Sequence, residues 1–338
     1  MRYQTIPKTV LLSLCLSCTA DKPHPVTIDT IFYNGTILTG SESIDTLYIH
    51  EGIVIEPPKE AAVFTREIDL NGKVVLPSFH DAHTHLLAGS FVSDKLLLVG
   101  TSTMSSIKAK LANYVETEPD LPWIVGYGWI KSTIDNPNGV TLDEVSADYP
   151  VALFDSAGHS LLVNTKAMEL AGINANTIPP TGGIVHTDES GEPTGFLQEG
   201  AIELISPLMV SQFTDAQIAA NLEEQISMFH AAGITSVSEI LAVPGVNLSF
   251  PELYHAIEDL QFRVAYYIPI FTTEDLQLME QYVGDASEWV HCEGAKVWVD
   301  GSSGSGESWS LAPSDIDDEH YGSQYFNVDQ LIQVIQHA

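Results

Sequence analysis

His83 and His85 stand two residues apart, and on an extended strand that spacing turns both rings to one face. Two imidazoles leaving the end of a strand can hold a divalent cation such as zinc, iron, nickel or manganese. Two strand histidines that merely face solvent have the same spacing, so the surroundings carry the argument. An apolar run, Lys73 to Pro77, leads into His80, Asp81, His83 and His85, and Leu86-Leu87 follow. That places the pair at a strand's exit, where parallel α/β enzymes collect their reactive groups. Asp81 is expected either to orient a ligating imidazole or to close the strand-loop turn. A second strand is expected over Ala295 to Asp300, with Lys296, Trp298 and Asp300 on one face and Ala295, Val297 and Val299 on the other. The apolar face must be packed, which turns the polar set to an interior where a lysine needs a function or a partner. An ion pair with Asp300 and a role at the metal both satisfy that need. Glu199, after Gly195-Phe196-Leu197, offers a carboxylate able to bridge cations without modification, or an acid at the start of a helix.

The elements that must position these groups change character along the chain. From about residue 27 to 75, short apolar runs alternate with turns, and Asn34-Gly35 between Ile31-Phe32-Tyr33 and Thr36-Ile37-Leu38 reads as a hairpin. A second unit surrounds Glu51-Gly52. Residues 76–338 then form a larger domain, with a Gly-, Pro- and Asn-rich insertion of mixed structure at about 86–213. Beyond it, Thr214 and Gln217 form a capping box, and Ile218, Leu222, Ile226 and Phe229 make one helical stripe. Strands are predicted over Ile234 to Ile240 and Phe262 to Ile268. Helices are predicted from Ser249, from Thr273 and from Asn327, the last with Leu331, Ile335 and Ala338 on one side. Strands alternating with helices of this length imply βα units and a parallel sheet. The Gly301-Ser302-Ser303-Gly304-Ser305-Gly306 run fits neither a dinucleotide fingerprint nor a phosphate loop, and reads as a loop at the site's mouth.

At 338 residues and 44% hydrophobic content the chain can build a large core. Its 45 acidic residues against 13 basic ones give a formal net charge of −32, which repels phosphate backbones and excludes nucleic acid as a partner. Residues 1–18 have the layout of a secretory leader: Arg2 and Lys8, an apolar run from Val10 to Leu16, and Cys15-Leu16-Ser17-Cys18. The end is similar to a bacterial lipobox with Cys18 as the lipidated residue. The expectation is an exported periplasmic or outer-membrane lipoprotein, touching the membrane through a lipid anchor only. With Cys18 lipidated, Cys292 remains a lone thiol.

Pro77-Ser78-Phe79-His80-Asp81-Ala82-His83-Thr84-His85 resembles the first-strand motif of the amidohydrolase superfamily. Ala157-Gly158-His159-Ser160 with Asn164-Thr165-Lys166-Ala167, Gly182-Gly183-Ile184-Val185, Pro193-Thr194-Gly195-Phe196-Leu197-Gln198-Glu199, Gly233-Ile234-Thr235-Ser236-Val237, and Lys296 with Asp300-Gly301-Ser302 resemble its YtcJ-like, N-substituted formamide deformylase-like branch, amidohydrolase family 3. The resemblance runs from about Asp29 to the last residue. It implies an α/β fold of the metal-dependent hydrolase class: a (β/α)8 TIM barrel, incomplete here at about the first four strands, beside a small N-terminal β-sandwich module. Counting strands with the insertion set aside, Lys296 falls where the family carries a carboxylated lysine, so His83, His85, Lys296 and, as its rival, Glu199 are the expected metal ligands. His159, Trp129 and Asp300 are the expected substrate-binding residues, a buried hydrogen-bonded histidine being the other account of His159.

The resemblance implies hydrolysis of a carbon–nitrogen bond, an amide or N-formyl group of a small molecule, by water activated on one or two divalent ions, zinc foremost. The family's later histidines and its general-base aspartate have no counterpart among these residues, so no catalytic residue is assigned and the chain is expected to be a fragment. A deaminase of the same superfamily, and a non-catalytic or decayed lipoprotein that binds a small molecule, are the alternatives.

Overall fold

The computed structural model describes residues 26–91, 95–118, 121–240, 250–255, 257, 260–270, 272–282, 284, 286–303, 307–313 and 321–337. The leader with Cys18, Ser249, Gly304 to Gly306 and Ala338 lie outside them. The chain divides into two units, Met1–Pro77 and Ser78–Ala338.

The described part of the first unit is all β. Strands β1 (Val26–Tyr33), β2 (Thr36–Leu38), β3 (Ser43–Ile44), β4 (Leu47–His50), β5 (Ile53–Ile55), β6 (Ala62–Asp69) and β7 (Val74–Val75) form two sheets, in the orders β5-β4-β1-β6 and β3-β2-β7. Glu51-Gly52 is a two-residue hairpin between β4 and β5, both residues in the left-handed region. Asn34-Gly35 differs from expectation. Asn34 does turn the chain, with φ of 60°, but β1 and β2 enter different sheets rather than pairing. The reason is a second turn alongside: Gly72 N–H donates to the Asn34 carbonyl and Thr36 N–H to that of Lys73. A side chain at position 35 would come within 2.5 Å of the Lys73 carbonyl oxygen, so glycine is required by that close approach. The run expected to lead straight into the histidines is likewise broken. Val74 and Val75 pair with β2, and a new strand begins after Pro77.

The second unit begins with β8 (Phe79–Thr84) and α1 (Leu86–Ser90). The insertion follows as β9 (Leu96–Leu97), α2 (Met104–Thr117), β10 (Ile124–Trp129), α3 (Asp143–Ser146), β11 (Val151–Asp155), β12 (Ser160–Val163), α4 (Thr165–Ala171), β13 (Ile184–Thr187), β14 (Pro193–Gln198) and α5 (Ser206–Val210). Its strands form one sheet, β13-β14-β12-β11-β10-β9, parallel from β9 to β11 and antiparallel beyond. Period-2 alternation packs both faces. Val125, Ala152, Leu161, Val163 and Leu197 join one apolar cluster, while Ile124, Val151, Leu153, Leu162 and Phe196 join another beneath α2.

The chain then becomes regular: α6 (Asp215–Ala231), β15 (Ile234–Ile240), α7 (Phe250–His255), β16 (Arg263–Ile270), α8 (Leu276–Tyr282), β17 (Val290–Val297) and α9 (Val328–His337). The four strands β8, β15, β16 and β17 lie side by side in chain order, all parallel. The α6 capping box forms as expected, with the Thr214 hydroxyl accepting from Gln217 N–H and the Gln217 side-chain Oε1 accepting from Thr214 N–H. Ile218, Leu222 and Ile226 are buried beneath it. In α9 the packed residues are Leu331 and Val334, and Ile335 is exposed. One face of the parallel sheet is apolar, with Val237, Val264, Tyr266, Ile268 and Val290 buried. His80 lies at the other, its ring between the Ser236 and Ser238 hydroxyls at 2.8 and 3.1 Å. The strand expected over Ala295 to Asp300 starts and ends earlier, at Val290 and Val297. Trp298 to Asp300 therefore leave the pleat, which removes the shared face assigned to Lys296 and Asp300.

Candidate metal centre and its cavity

The His83 and His85 rings meet edge to face with centroids 5.4 Å apart. His85 Nδ1 lies 3.0 Å from the Ile240 carbonyl oxygen, which can only accept, so Nδ1 carries the proton and Nε2 keeps its lone pair. Desolvation lowers the His85 pKa, offset in part by the Ile240 carbonyl; the His83, Lys296 and His159 charges lower it further. A neutral ring with one tautomer fixed by a backbone carbonyl is the form a metal needs. Asp81 is turned elsewhere: its Oδ1 accepts from the His83 backbone N–H at 3.1 Å, which makes it the turn-closing group.

His85 lines a cavity of about 370 Å³ shared with His159, Glu199, Tyr127, Trp298 and Tyr325. His159 and Glu199 come from neighbouring strand ends of the insertion sheet. The His159 Nδ1–H donates to Glu199 Oε2 at 2.8 Å, and Glu199 N–H donates to the His159 carbonyl. Glu199 is 6% exposed and adopts φ of 50°. A non-glycine residue in that region costs conformational energy and is held there by its surroundings. Its Oε1 accepts from Ser302 N–H at 3.2 Å and its Oε2 from the Tyr325 hydroxyl at 3.4 Å. The bond to Glu199 raises the His159 pKa against the opposing effect of burial. His159 and Ser160 N–H both donate to Asp155 Oδ1, and the Tyr127 hydroxyl donates to the Ser156 carbonyl, so the turn carrying His159 is fixed as well. Of the two expectations for Glu199, the helix-start acid is the one met, since Glu199 opens a short 3-10 helix over Glu199–Leu204, while both its oxygens are engaged, one of them on the imidazole it orients.

Lys296 does not line the cavity. Its Nζ lies 5.3 Å from the centroid of the Trp298 ring, which does, and its charge lowers the pKa of both His85 and His159. The structure does not bring Trp129 or Asp300 to this place. Trp129 is fully buried, its Nε1–H donating to the Leu153 carbonyl and its ring edge-on to Phe196. Simple alternation would set Trp129 beside Tyr127. A register shift between the two, with Gly128 at φ of 107°, turns Trp129 to the opposite core and leaves Tyr127 at the cavity. Asp300 accepts from Trp309 N–H and bridges Gln324, holding a loop together. His337 pairs with Glu280.

Three groups escaped the sequence reading. Tyr325 carries no local signal. Tyr127 takes the cavity position that two-residue alternation gives equally to Trp129. Glu239, at the end of β15, was visible as an acid closing an otherwise apolar and hydroxyl-bearing strand. It is completely buried, accepts from Leu86 and Leu87 N–H at 2.6 and 3.1 Å, and is pushed by burial up to about 8.

For a metal ion, the imidazole pair fits, a neutral ring of fixed tautomer at a cavity with a second ring beside it, whereas Lys296 as a cation has no lone pair to offer. Among the described residues, no group of three or more His, Cys, Asp or Glu side chains is gathered as a closed ligand set.

Residues 66–338 match the model of the amidohydrolase family. The Bacillus subtilis (strain 168) protein YtcJ is 32% identical over 205 residues, 56% of this chain and 38% of that protein. The N-substituted formamide deformylase of Arthrobacter pascens is 30% identical over 202 residues, 57% of this chain and 36% of the relative. An uncharacterized metal-dependent hydrolase from Pyrococcus horikoshii OT3 shares the fold, with a TM-score of 0.64 and 22% identity over 91% of this chain and 62% of its own. The chain thus spans about half or less of the length of the curated relatives it matches. The chain belongs to the amidohydrolase family, in its YtcJ-like and N-substituted formamide deformylase-like branch.

Proposed function

We propose that this chain carries the first-strand side of a metal-dependent amidohydrolase site, in a protein that hydrolyses a carbon–nitrogen bond, an amide or N-formyl group, of a small molecule. The observation that carries the reading is the His85 ring, fixed by the Ile240 carbonyl, with Nε2 unengaged among the described residues, at a cavity that also holds His159 and Glu199. His83 and His85 would hold the ion, zinc foremost, and Lys296, as a carbamate, would supply oxygens between two ions. Glu199 ranks behind it because its oxygens already serve His159, Ser302 and Tyr325. When bound, the ion lowers the pKa of water and polarises a carbonyl.

The chain's own residues supply the rest. Phe91, Phe154, Ile202 and Met209 give the cavity an apolar wall that excludes water from the nitrogen substituent. His159, with Nδ1–H committed to Glu199, presents Nε2 as the polar contact for the substrate's amide. The sheet β8-β15-β16-β17 reads as the first half of the family's barrel, strands one to four in order. The protein's hydrolysis of N-substituted formamides, followed by release of formate, tests the reading. Activity that depends on added zinc and disappears in His85→Ala supports it; metal-independent release in both proteins contradicts it.

A further inference from the structure

α1 starts without a cap of its own. Its N-cap residue is His85, whose side chain makes no capping hydrogen bond, because the ring is turned away to the Ile240 carbonyl and the cavity. The first amides of a helix still need acceptors, and they are found across the sheet. Glu239, 153 residues further along the chain, accepts from Leu86 N–H with Oε2 and from Leu87 N–H with Oε1. The next residue, Ile240, accepts from His85 Nδ1. Two consecutive residues of β15 therefore grip three consecutive residues after β8, one through backbone amides and the other through the ring. Register places Glu239 opposite Thr84, so the grip continues the strand pairing where the ladder ends. The far end of α1 is held as well, since Asn221 of α6 donates its side-chain amide to the Ser90 carbonyl at 2.7 Å.

We propose that Glu239 is a positioning residue for His85: by capping α1 from the neighbouring strand, it takes over the N-cap duty and fixes the backbone from which His85 presents Nε2 to the cavity. The proposal rests on the reading of His85 as a metal-facing ligand. An ordinary N-cap would be Ser, Thr, Asp or Asn at position 85. A histidine there cannot both cap the helix and face a metal, and the remote carboxylate removes the conflict. Glu239→Gln keeps a single carbonyl acceptor and sets its NH2 against the other amide, so it does half the work of the ionised carboxylate, the form Glu239 takes above about pH 8.

The test uses the full chain with isotope-labelled histidine, in wild type, Glu239→Ala, Glu239→Gln and Tyr254→Phe. Tyr254 is a buried neighbour whose hydroxyl makes no hydrogen bond among the described residues, so its variant controls for general disturbance of this core. Imidazole NMR of the metal-free protein, with His85 assigned from His85→Ala, is expected to show the Nδ1–H tautomer in wild type and Tyr254→Phe, and a tautomer mixture in Glu239→Ala. Cobalt(II) affinity, measured by competition with a chromophoric chelator, is expected to fall about 10- to 100-fold in Glu239→Ala and by less in Glu239→Gln. A folded Glu239→Ala protein with the wild-type tautomer and unchanged cobalt(II) affinity overturns the proposal. If that variant does not fold, the same result in Glu239→Gln does so. Cobalt(II) binding indifferent to His85→Ala would sink the metal reading alone, while the tautomer measurement would still decide the role of Glu239.

Discussion

The insertion sheet and the parallel sheet bring titratable side chains to the same neighbourhood in opposite ways. At the insertion sheet's strand ends, His159 and Glu199 are bonded to each other, and Ser302, Tyr325 and Asp155 complete their settings. At the end of the parallel sheet, His85 has one nitrogen held by a backbone carbonyl and the other kept as a lone pair, with His83 edge-on beside it and Lys296 near enough to be felt electrostatically. One wall is closed on itself. The other keeps donors in reserve, which is the form expected where an ion is to be bound. A dyad whose carboxylate orients an imidazole can hold or move a proton without further ligands.

The contrast can be broken first at Glu199. Glu199→Gln should lower the hydrolytic rate about 100- to 10,000-fold by releasing His159, while leaving metal content at the wild-type level. A variant that instead loses its metal would move Glu199 to the other wall. The pH behaviour sharpens the point. His159 has its pKa raised above the ordinary 6.5 by Glu199, so its contribution to stability is full below that value and is lost as pH rises through the raised folded value. In Glu199→Gln the NMR titration midpoint of His159 should fall, and the difference in stability from wild type should shrink as pH rises through that window.

Trp129 and Tyr127 separate packing from the cavity. Trp129→Ala should cost about 3–5 kcal/mol of stability in urea unfolding, with the rate per folded molecule retained. Tyr127→Phe should cost about 1 kcal/mol by removing the hydrogen bond to Ser156, and should change KM more than stability. At the α6 cap, Thr214→Ala should cost a similar amount of stability, about 1 kcal/mol, and leave KM and rate per folded molecule unchanged, the smallest effect on either wall.

Much of the positioning framework was legible because it rests on local chemistry. The Thr214–Gln217 box, the α6 stripe and the strand over Ile234 to Ile240 are each set by neighbours within a few residues, and period alone locates them. What escaped was decided by partners far away in sequence. Asn34-Gly35 reads as a hairpin because nothing nearby reveals the Lys73 turn that separates its strands. Trp129 follows a bulge that breaks the two-residue alternation, and the end of β17 at Val297 removes Asp300 from the face assigned to it. The pairing of His159 with Glu199 spans 40 residues and that of Glu239 with Leu86 spans 153, so residue types suggested chemistry at each position but not the bond between them.

The most direct measurement is the metal content of the purified protein beside His85→Ala, Lys296→Ala and Glu199→Gln. The account predicts that His85→Ala weakens metal binding more than about 100-fold, beyond the loss typical of an outer partner, that Lys296→Ala also loses metal, and that Glu199→Gln keeps it. Wild-type metal content in both His85→Ala and Lys296→Ala would contradict it.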